Sequence, residues 1–152
     1  QDMYEGGLRV PTAVTWPGRV APGTRTDHIG LTMDLYPTLA EVAGARLTRR
    51  VDGRSLLPVL RDEAAADDPR TLFWVRREGG PYRGQAAYAV RRGPWKLLQN
   101  RPGEPFRLYH LGRDPREQTD VAADHPEQVE ALSEALRRHL QAAGRVPWQP
   151  PR

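Results

Sequence analysis

The densest group of chemically capable side chains is the run Tyr4-Glu5-Gly6-Gly7-Leu8-Arg9, which sets a phenol, a carboxylate and a guanidinium around two glycines. Glu5 has the chemistry of a general acid or base; the plainer expectation is that it ties down the Gly6-Gly7 loop by local hydrogen bonds. Arg9 carries a fork suited to an anionic substrate. An Arg entering a buried strand more often pairs with a carboxylate, and that pairing is expected here. The histidines, His28, His110, His125 and His139, show no metal-ligand spacing. Surface roles are expected for them, with His139 solvated beside Arg138 and His28 in a polar loop within reach of a substrate group. Trp74 and Trp95 read as core, whereas Trp148 in the tail is the better candidate to stack on a ring. Asp67-Asp68 reads as an exposed Ala/Asp loop rather than a metal site. The chain holds no cysteine, which excludes disulfides, thiolate ligands and a Cys nucleophile within it and leaves the compartment open.

The elements that position these groups follow from periodicity and punctuation. Residues 1–7 read as a loop, and Leu8–Trp16 as a strand with few charges, suited to a mostly buried sheet position. Asp34 reads as the N-cap of a short helix with Pro37 in its first turn, an apolar stripe of Leu35, Leu39 and Val42, and a stop at Gly44. Asp52-Gly53 is a turn, and Ser55–Leu60 a short apolar helical piece. Glu63–Pro69 reads as a surface loop.

Four strand-like runs come next: Thr71–Arg77, Ala86–Arg92, Trp95–Asn100 and Phe106–Leu111. Gly79-Gly80-Pro81, Gly93-Pro94 and Pro102-Gly103 separate them. Close turns between short strands predict an antiparallel meander, with a tight hairpin at Gly93-Pro94. Asp124 and Glu127 resemble a capping box with Pro126 in the first turn, followed by the stripe Val129, Leu132, Leu136 and Leu140 up to Gly144. This helix is expected across one face of the sheet, because neither element can bury its apolar face alone.

At 152 residues the chain holds one domain, or a small domain plus part of another. Its net charge is +4 and its mean hydropathy −0.70, polar for a self-sufficient globule. Nearly all the cations are Arg, with Lys96 the single lysine. They are scattered among Asp and Glu rather than clustered, so no nucleic-acid partner is expected. No apolar run approaches the ~20 residues of a membrane span.

Six segments, taken in order, resemble type I sulfatases of the alkaline-phosphatase-like superfamily. Tyr4-Glu5-Gly6-Gly7-Leu8-Arg9-Val10-Pro11 is similar to that family's Y-E-G-G-x-R-x-P run, and Trp16-Pro17-Gly18 to its W-P-G turn. Asp34-Leu35-Tyr36-Pro37-Thr38-Leu39 with Ala43-Gly44 resembles the D-L-x-P-T-L helix. Asp52-Gly53-Arg54-Ser55-Leu56 with Pro58 and Leu60 resembles D-G-x-S-L-x-P-x-L. Ala89-Val90-Arg91, Gly93 and Trp95-Lys96-Leu97 resemble a strand pair written A-V-R-x-G-x-x-K, and Leu108-Tyr109-His110-Leu111 with Asp114-Pro115 and Glu117 resembles L-Y-D-L-x-x-D-P-x-E. His110 stands where the family usually has Asp, and Asp120 where it often has Asn.

The resemblance implies hydrolysis of sulfate monoesters by a formylglycine nucleophile made from Cys or Ser in a C/S-x-P-x-R motif, beside a divalent metal, usually calcium. Neither Ser55 nor Ser133, the two serines, sits in such a motif. The family's sulfate-binding Lys precedes the Tyr of Y-E-G-G by four residues, one position before Gln1. The chain is therefore expected to be the C-terminal part of a sulfatase, with no catalytic residue and no metal ligand of its own. Tyr4, Glu5, Gly6, Gly7 and Arg9 are expected to line the pocket rim, and the partner is expected to be a sulfate-ester small molecule or a sulfated carbohydrate. Residues 1–69 would end a large α/β domain that packs on the missing N-terminal segment. Residues 70–146 would form an α+β subdomain, a four-stranded antiparallel sheet packed by a C-terminal helix, and 147–152 an extended tail. The rival readings are a binding or scaffolding module for anionic polymers and a fragment of a related phosphonate or phosphodiester hydrolase.

Overall fold

The computed structural model describes residues 2–61, 70–78 and 85–144. The loop expected at Glu63–Pro69, the Gly79-Gly80-Pro81 turn, the Asp67-Asp68 pair and the tail with Trp148 lie outside the described residues. The chain divides into two compact units: the described residues of Gln1–Pro11 and Pro69–Arg152 form one, and those of Thr12–Asp68 the other.

The first unit is built on a four-stranded antiparallel sheet in the order β1-β2-β3-β4. The strands are β1 (Thr71–Arg77), β2 (Ala86–Arg92), β3 (Trp95–Gln99) and β4 (Arg107–His110). The expected meander is therefore present, with strand ends within a residue or so of those read from sequence. Between β2 and β3, Gly93 takes φ 57° and Pro94 follows with its ring-locked negative φ. That sign pattern is the II′ hairpin turn, whose twist matches the strands it joins.

Pleating sends alternate residues to opposite faces. One face carries Val90, Leu97 and Leu108 in register, flanked by Phe73, Tyr88 and Trp95. The long helix α4 (Pro126–Gly144) lies against it through Leu132 and Leu136, buried, and Val129 and Leu140, partly buried. The predicted stripe is the one that packs. Trp74 and Trp95 both pack on the sheet's clusters, as expected of core residues. The open edge of β4 is closed by the chain itself: Leu108 N–H donates to the Asp120 carboxylate, and Val121 N–H donates to Leu108 C=O.

The other face carries Ala87, Ala89, Leu98 and Tyr109, and it is covered by the N-terminal segment through Met3, Tyr4 and Leu8. Here the structure corrects the sequence reading. Glu5–Leu8 forms a single helical turn, α1, and residues 9–16 are not a strand. Val10 and Val14 are 70% and 46% exposed. Alternation alone cannot make a strand; it needs a neighbour for its backbone, and no described strand offers one.

The helix start is also corrected. Asp124 is exposed and, among the described residues, accepts no hydrogen bond. The His125 carbonyl takes the first helical N–H groups, from Gln128 and Val129, so the cap lies one residue later than expected. His139 is exposed, as expected, but its ring stacks on Phe73 with centroids 4.1 Å apart.

In the second unit a 3-10 turn at Thr32–Asp34 leads into α2 (Leu35–Val42), with α3 (Leu57–Leu60) beside it. Asp34 does not cap α2 through its side chain. Its fully buried carboxylate instead accepts the N–H groups of Leu31 and Arg54, tying the Asp52-Gly53 turn to the helix start. Gly53 must be glycine, since a Cβ there would sit 2.1 Å from the Met33 carbonyl oxygen. Thr38 adds a second tie, donating to Asp34 C=O and accepting from Leu56 N–H. At the end of α2, Gly44 N–H donates to Glu41 C=O and Ala45 N–H to Ala40 C=O, the paired bonds of a Schellman stop. Pro37 and Thr38 are the buried residues of α2, while the stripe Leu35, Leu39 and Val42 stays exposed.

Candidate functional site

The candidate residues converge on α1. Tyr4 is half-buried, Glu5 is buried, and Gly6, Gly7 and Arg9 are exposed along one turn. Gly7 N–H donates to Tyr4 C=O and Arg9 N–H to Glu5 C=O, which closes the turn. Met3 N–H donates to the Asn100 side chain at 2.7 Å, fixing the approach to it from the end of β3.

What holds the turn is a buried set of charges on the sheet. Arg91 and Lys96 are register partners on β2 and β3. Glu5 inserts its carboxylate between them, with Oε1 2.9 Å from Lys96 Nζ and Oε2 3.2 Å from Arg91 Nη1. Glu117 completes the set. Its Oε2 accepts the Glu5 backbone N–H at 2.5 Å, and its Oε1 lies 2.8 Å from Lys96 Nζ. Oε1 makes no hydrogen bond of good angle, so that second contact is ionic. The two anions match the two cations, which is the condition for keeping charge out of water. Lys96 is 0% exposed.

Glu117 reaches this position through an unusual backbone. It takes φ 54°, a region non-glycine residues seldom enter. The Asp114 carboxylate stabilises the loop by accepting the N–H groups of Gln118 and Thr119. Burial pushes the Arg91 guanidinium below its ordinary value; Glu5 acts against that shift, and Arg9 adds to it.

Two expectations change here. Glu5 does not tie the glycines by local hydrogen bonds; it reaches cations that lie about ninety residues along the chain. Arg9 pairs with no carboxylate among the described residues and is exposed, because the strand that would have buried it does not form. Lys96 and Glu117 carried a signal in the sequence, since each closes a motif, but nothing local joined them to Glu5.

Beside the turn, Tyr4 meets Tyr109 edge to face with centroids 6.1 Å apart, and its hydroxyl accepts from Arg107 Nη1 at 3.0 Å. Burial, and next the hydrogen bond with Tyr4, push the Tyr109 phenol up to about 12. Elsewhere, His110 and His125 both set their rings edge-on to Trp95 at 4.7 Å. His28 is exposed. Among the described residues no three His, Cys, Asp or Glu side chains are placed to hold a metal ion. These residues do not fit a calcium site. No helix among the described residues is long and apolar enough to cross a membrane.

The arrangement is a scaffold with a presented turn: a buried ionic anchor beneath, and exposed main chain with one free-standing Arg above. Comparison with known proteins places that scaffold. The family described as N-sulphoglucosamine sulphohydrolase, C-terminal, matches residues 1–145. A sulfatase of Formosa agariphila is 37% identical over 145 residues, covering 88% of this chain and 26% of the relative. Arylsulfatase K of Gallus gallus is 33% identical, over 89% of this chain and 26% of its own length. The chain thus spans about a quarter of the length of these curated relatives. Among solved structures, Ps i-CgsB, also seen in complex with k-i-k-neocarrahexaose, superposes with a TM-score of 0.69 at 25% identity, over 81% of this chain and 27% of that one. The phosphonate monoester hydrolase of Agrobacterium radiobacter gives a TM-score of 0.50 at 26% identity, over 74% and 25%.

Proposed function

Because this chain belongs to the sulfatases, through the family of N-sulphoglucosamine sulphohydrolase C-terminal regions, we propose that it is the C-terminal portion of an enzyme that hydrolyses sulfate monoesters. Its role is to build one side of the substrate cleft. The observation that carries this reading is the turn Tyr4–Arg9, held rigidly from below by Glu5 and left bare above at Gly6, Gly7 and Arg9. A rim of that kind lets a substrate approach main chain closely and offers a guanidinium to an anionic ester.

The division of labour follows from the residue types. The formylglycine nucleophile and the divalent metal, calcium in the family this chain resembles, are proposed for the parent enzyme with their ligands outside this chain. An activated nucleophile beside fixed cations is what sulfur–oxygen cleavage needs. The segment through residue 69 is proposed to finish the large α/β domain, and 70–146 to form the small subdomain that buttresses it. The exposed stripe Leu35, Leu39 and Val42 is proposed to pack on the remainder of the parent. A sulfated carbohydrate is the favoured substrate, because the related solved structure of Ps i-CgsB holds k-i-k-neocarrahexaose.

The likeness to a phosphonate monoester hydrolase supports a second reading, since the same scaffold serves that chemistry. The test is turnover by the full-length enzyme carrying this chain, matured to formylglycine and supplied with calcium. It would be given an aryl sulfate, a sulfated oligosaccharide and an aryl phosphonate monoester. Preference for the sulfate esters is expected; preference for the phosphonate would transfer the assignment to the second reading.

A further inference from the structure

Lys96 is the one lysine in a chain of arginines, and it is the most deeply buried cation described. A buried ammonium is costly unless carboxylates pair with it. Two do. Glu5 binds it through the side chain, and Glu117 binds it while also accepting the Glu5 backbone N–H. Both the side chain and the main chain of the first residue of α1 are therefore referred to one point on β3. The glycines that follow have no packing of their own: a Cβ at Gly6 would meet nothing within 4 Å, and one at Gly7 only the Asp2 carbonyl at 3.6 Å. The glycines therefore do not set the turn's position; the contacts of Met3, Tyr4, Glu5 and Leu8 with the sheet do.

Resting on the sulfatase reading above, we propose that Lys96 is a positioning residue: clasped between Glu5 and Glu117, it fixes the Gly6–Arg9 turn that frames the sulfate ester. It touches no substrate. Glu117 is the second half of the device, and its left-handed backbone is the conformation that aims the carboxylate at both Lys96 and the Glu5 N–H.

Two variants test this. Lys96→Met combined with Glu117→Gln removes one cation and one anion and leaves the Glu5–Arg91 pair, so the buried charge stays balanced. Glu5→Gln keeps the side-chain volume and weakens the clasp. In this chain, amide hydrogen exchange at Gly7 and Arg9, whose N–H groups close the turn, should quicken by about tenfold or more while the β2–β3 ladder keeps its protection. In the full-length enzyme kcat/KM for a sulfate ester should fall by about tenfold or more, carried by KM. A merely structural defect lowers the active fraction and leaves KM alone. Unchanged exchange at Gly7 and Arg9 in both variants overturns the proposal. So does a loss of protection spread evenly over the ladder, which makes Lys96 an ordinary core residue. Inertness of the unmutated enzyme toward every sulfate ester refutes the sulfatase reading instead, and the exchange result then decides whether Lys96 sets the turn.

Discussion

Arg91 and Lys96 stand directly opposite one another on β2 and β3, two cations in register on the face of the sheet that carries the Tyr4–Arg9 turn. Like charges so placed repel. Glu5 is what makes the pairing tolerable, with one oxygen for each cation. Removing it by Glu5→Ala strands Arg91 and leaves Lys96 with Glu117 alone, and the expected cost is about 3–5 kcal/mol. Arg9→Ala, four residues on and exposed, should change stability by no more than about 0.5 kcal/mol. Denaturant unfolding of the two variants makes the comparison. Equal costs would remove the anchor role from Glu5.

On the opposite face the decisive contact is hydrophobic. Leu136 is 2% exposed against the Val90, Leu97 and Leu108 row. Leu136→Ala should cost about 2–5 kcal/mol. Asp124→Ala should be nearly silent, within about 0.5 kcal/mol, because its carboxylate caps nothing. A thermal melt of each variant separates packing from capping as the source of helix stability. A large loss at Asp124 would restore the cap that its place in the sequence suggests.

These cases show why some of the fold was legible and some was not. The meander was, because alternation in Ala86–Arg92 and the Gly93-Pro94 turn are local signals that agree with one another. The α4 stripe was legible for the same reason. Leu8–Trp16 misled because a strand is a relation between two segments, and alternation records only one of them. Asp124 misled by a single residue: Pro126 fixes the first helical position, so the cap falls on His125. The ionic anchor was the least legible feature. Its four members lie on α1, β2, β3 and the loop after β4, and only the sheet register brings Lys96 beneath Glu5. Motif resemblance marks Glu5, Lys96 and Glu117, but each within its own segment.

Alkaline pH should weaken this unit through Tyr109. A phenol with an ordinary value of 10.0 is raised to about 12 in the folded chain. The folded state therefore holds its proton where the unfolded state has lost it. The contribution is complete below pH 10 and is lost as pH rises from there to about 12. Denaturant midpoints followed across that window should decline more steeply in the parent than in Tyr109→Phe. Parallel declines would show that the phenol does not feel its burial.

Alone, the chain should not hydrolyse an aryl sulfate above background, even with calcium present. Acceleration needs groups that bind the transition state more tightly than the substrate. The chain has no cysteine, and neither Ser55 nor Ser133 lies in a C/S-x-P-x-R motif, so no formylglycine can form within it. Among the described residues no carboxylate cluster can place a metal against developing charge. An exposed guanidinium such as Arg9 can hold a free sulfate, but equal affinity for ester and transition state leaves the barrier to cleavage unchanged. The assay compares this chain with the enzyme extended upstream through the nucleophile motif and matured to formylglycine. Activity in the extended form alone is the expected outcome. Turnover by the short chain that survives rigorous purification, and that Arg9→Ala abolishes, would move the chemistry onto this turn and overturn the assignment of a purely framing role.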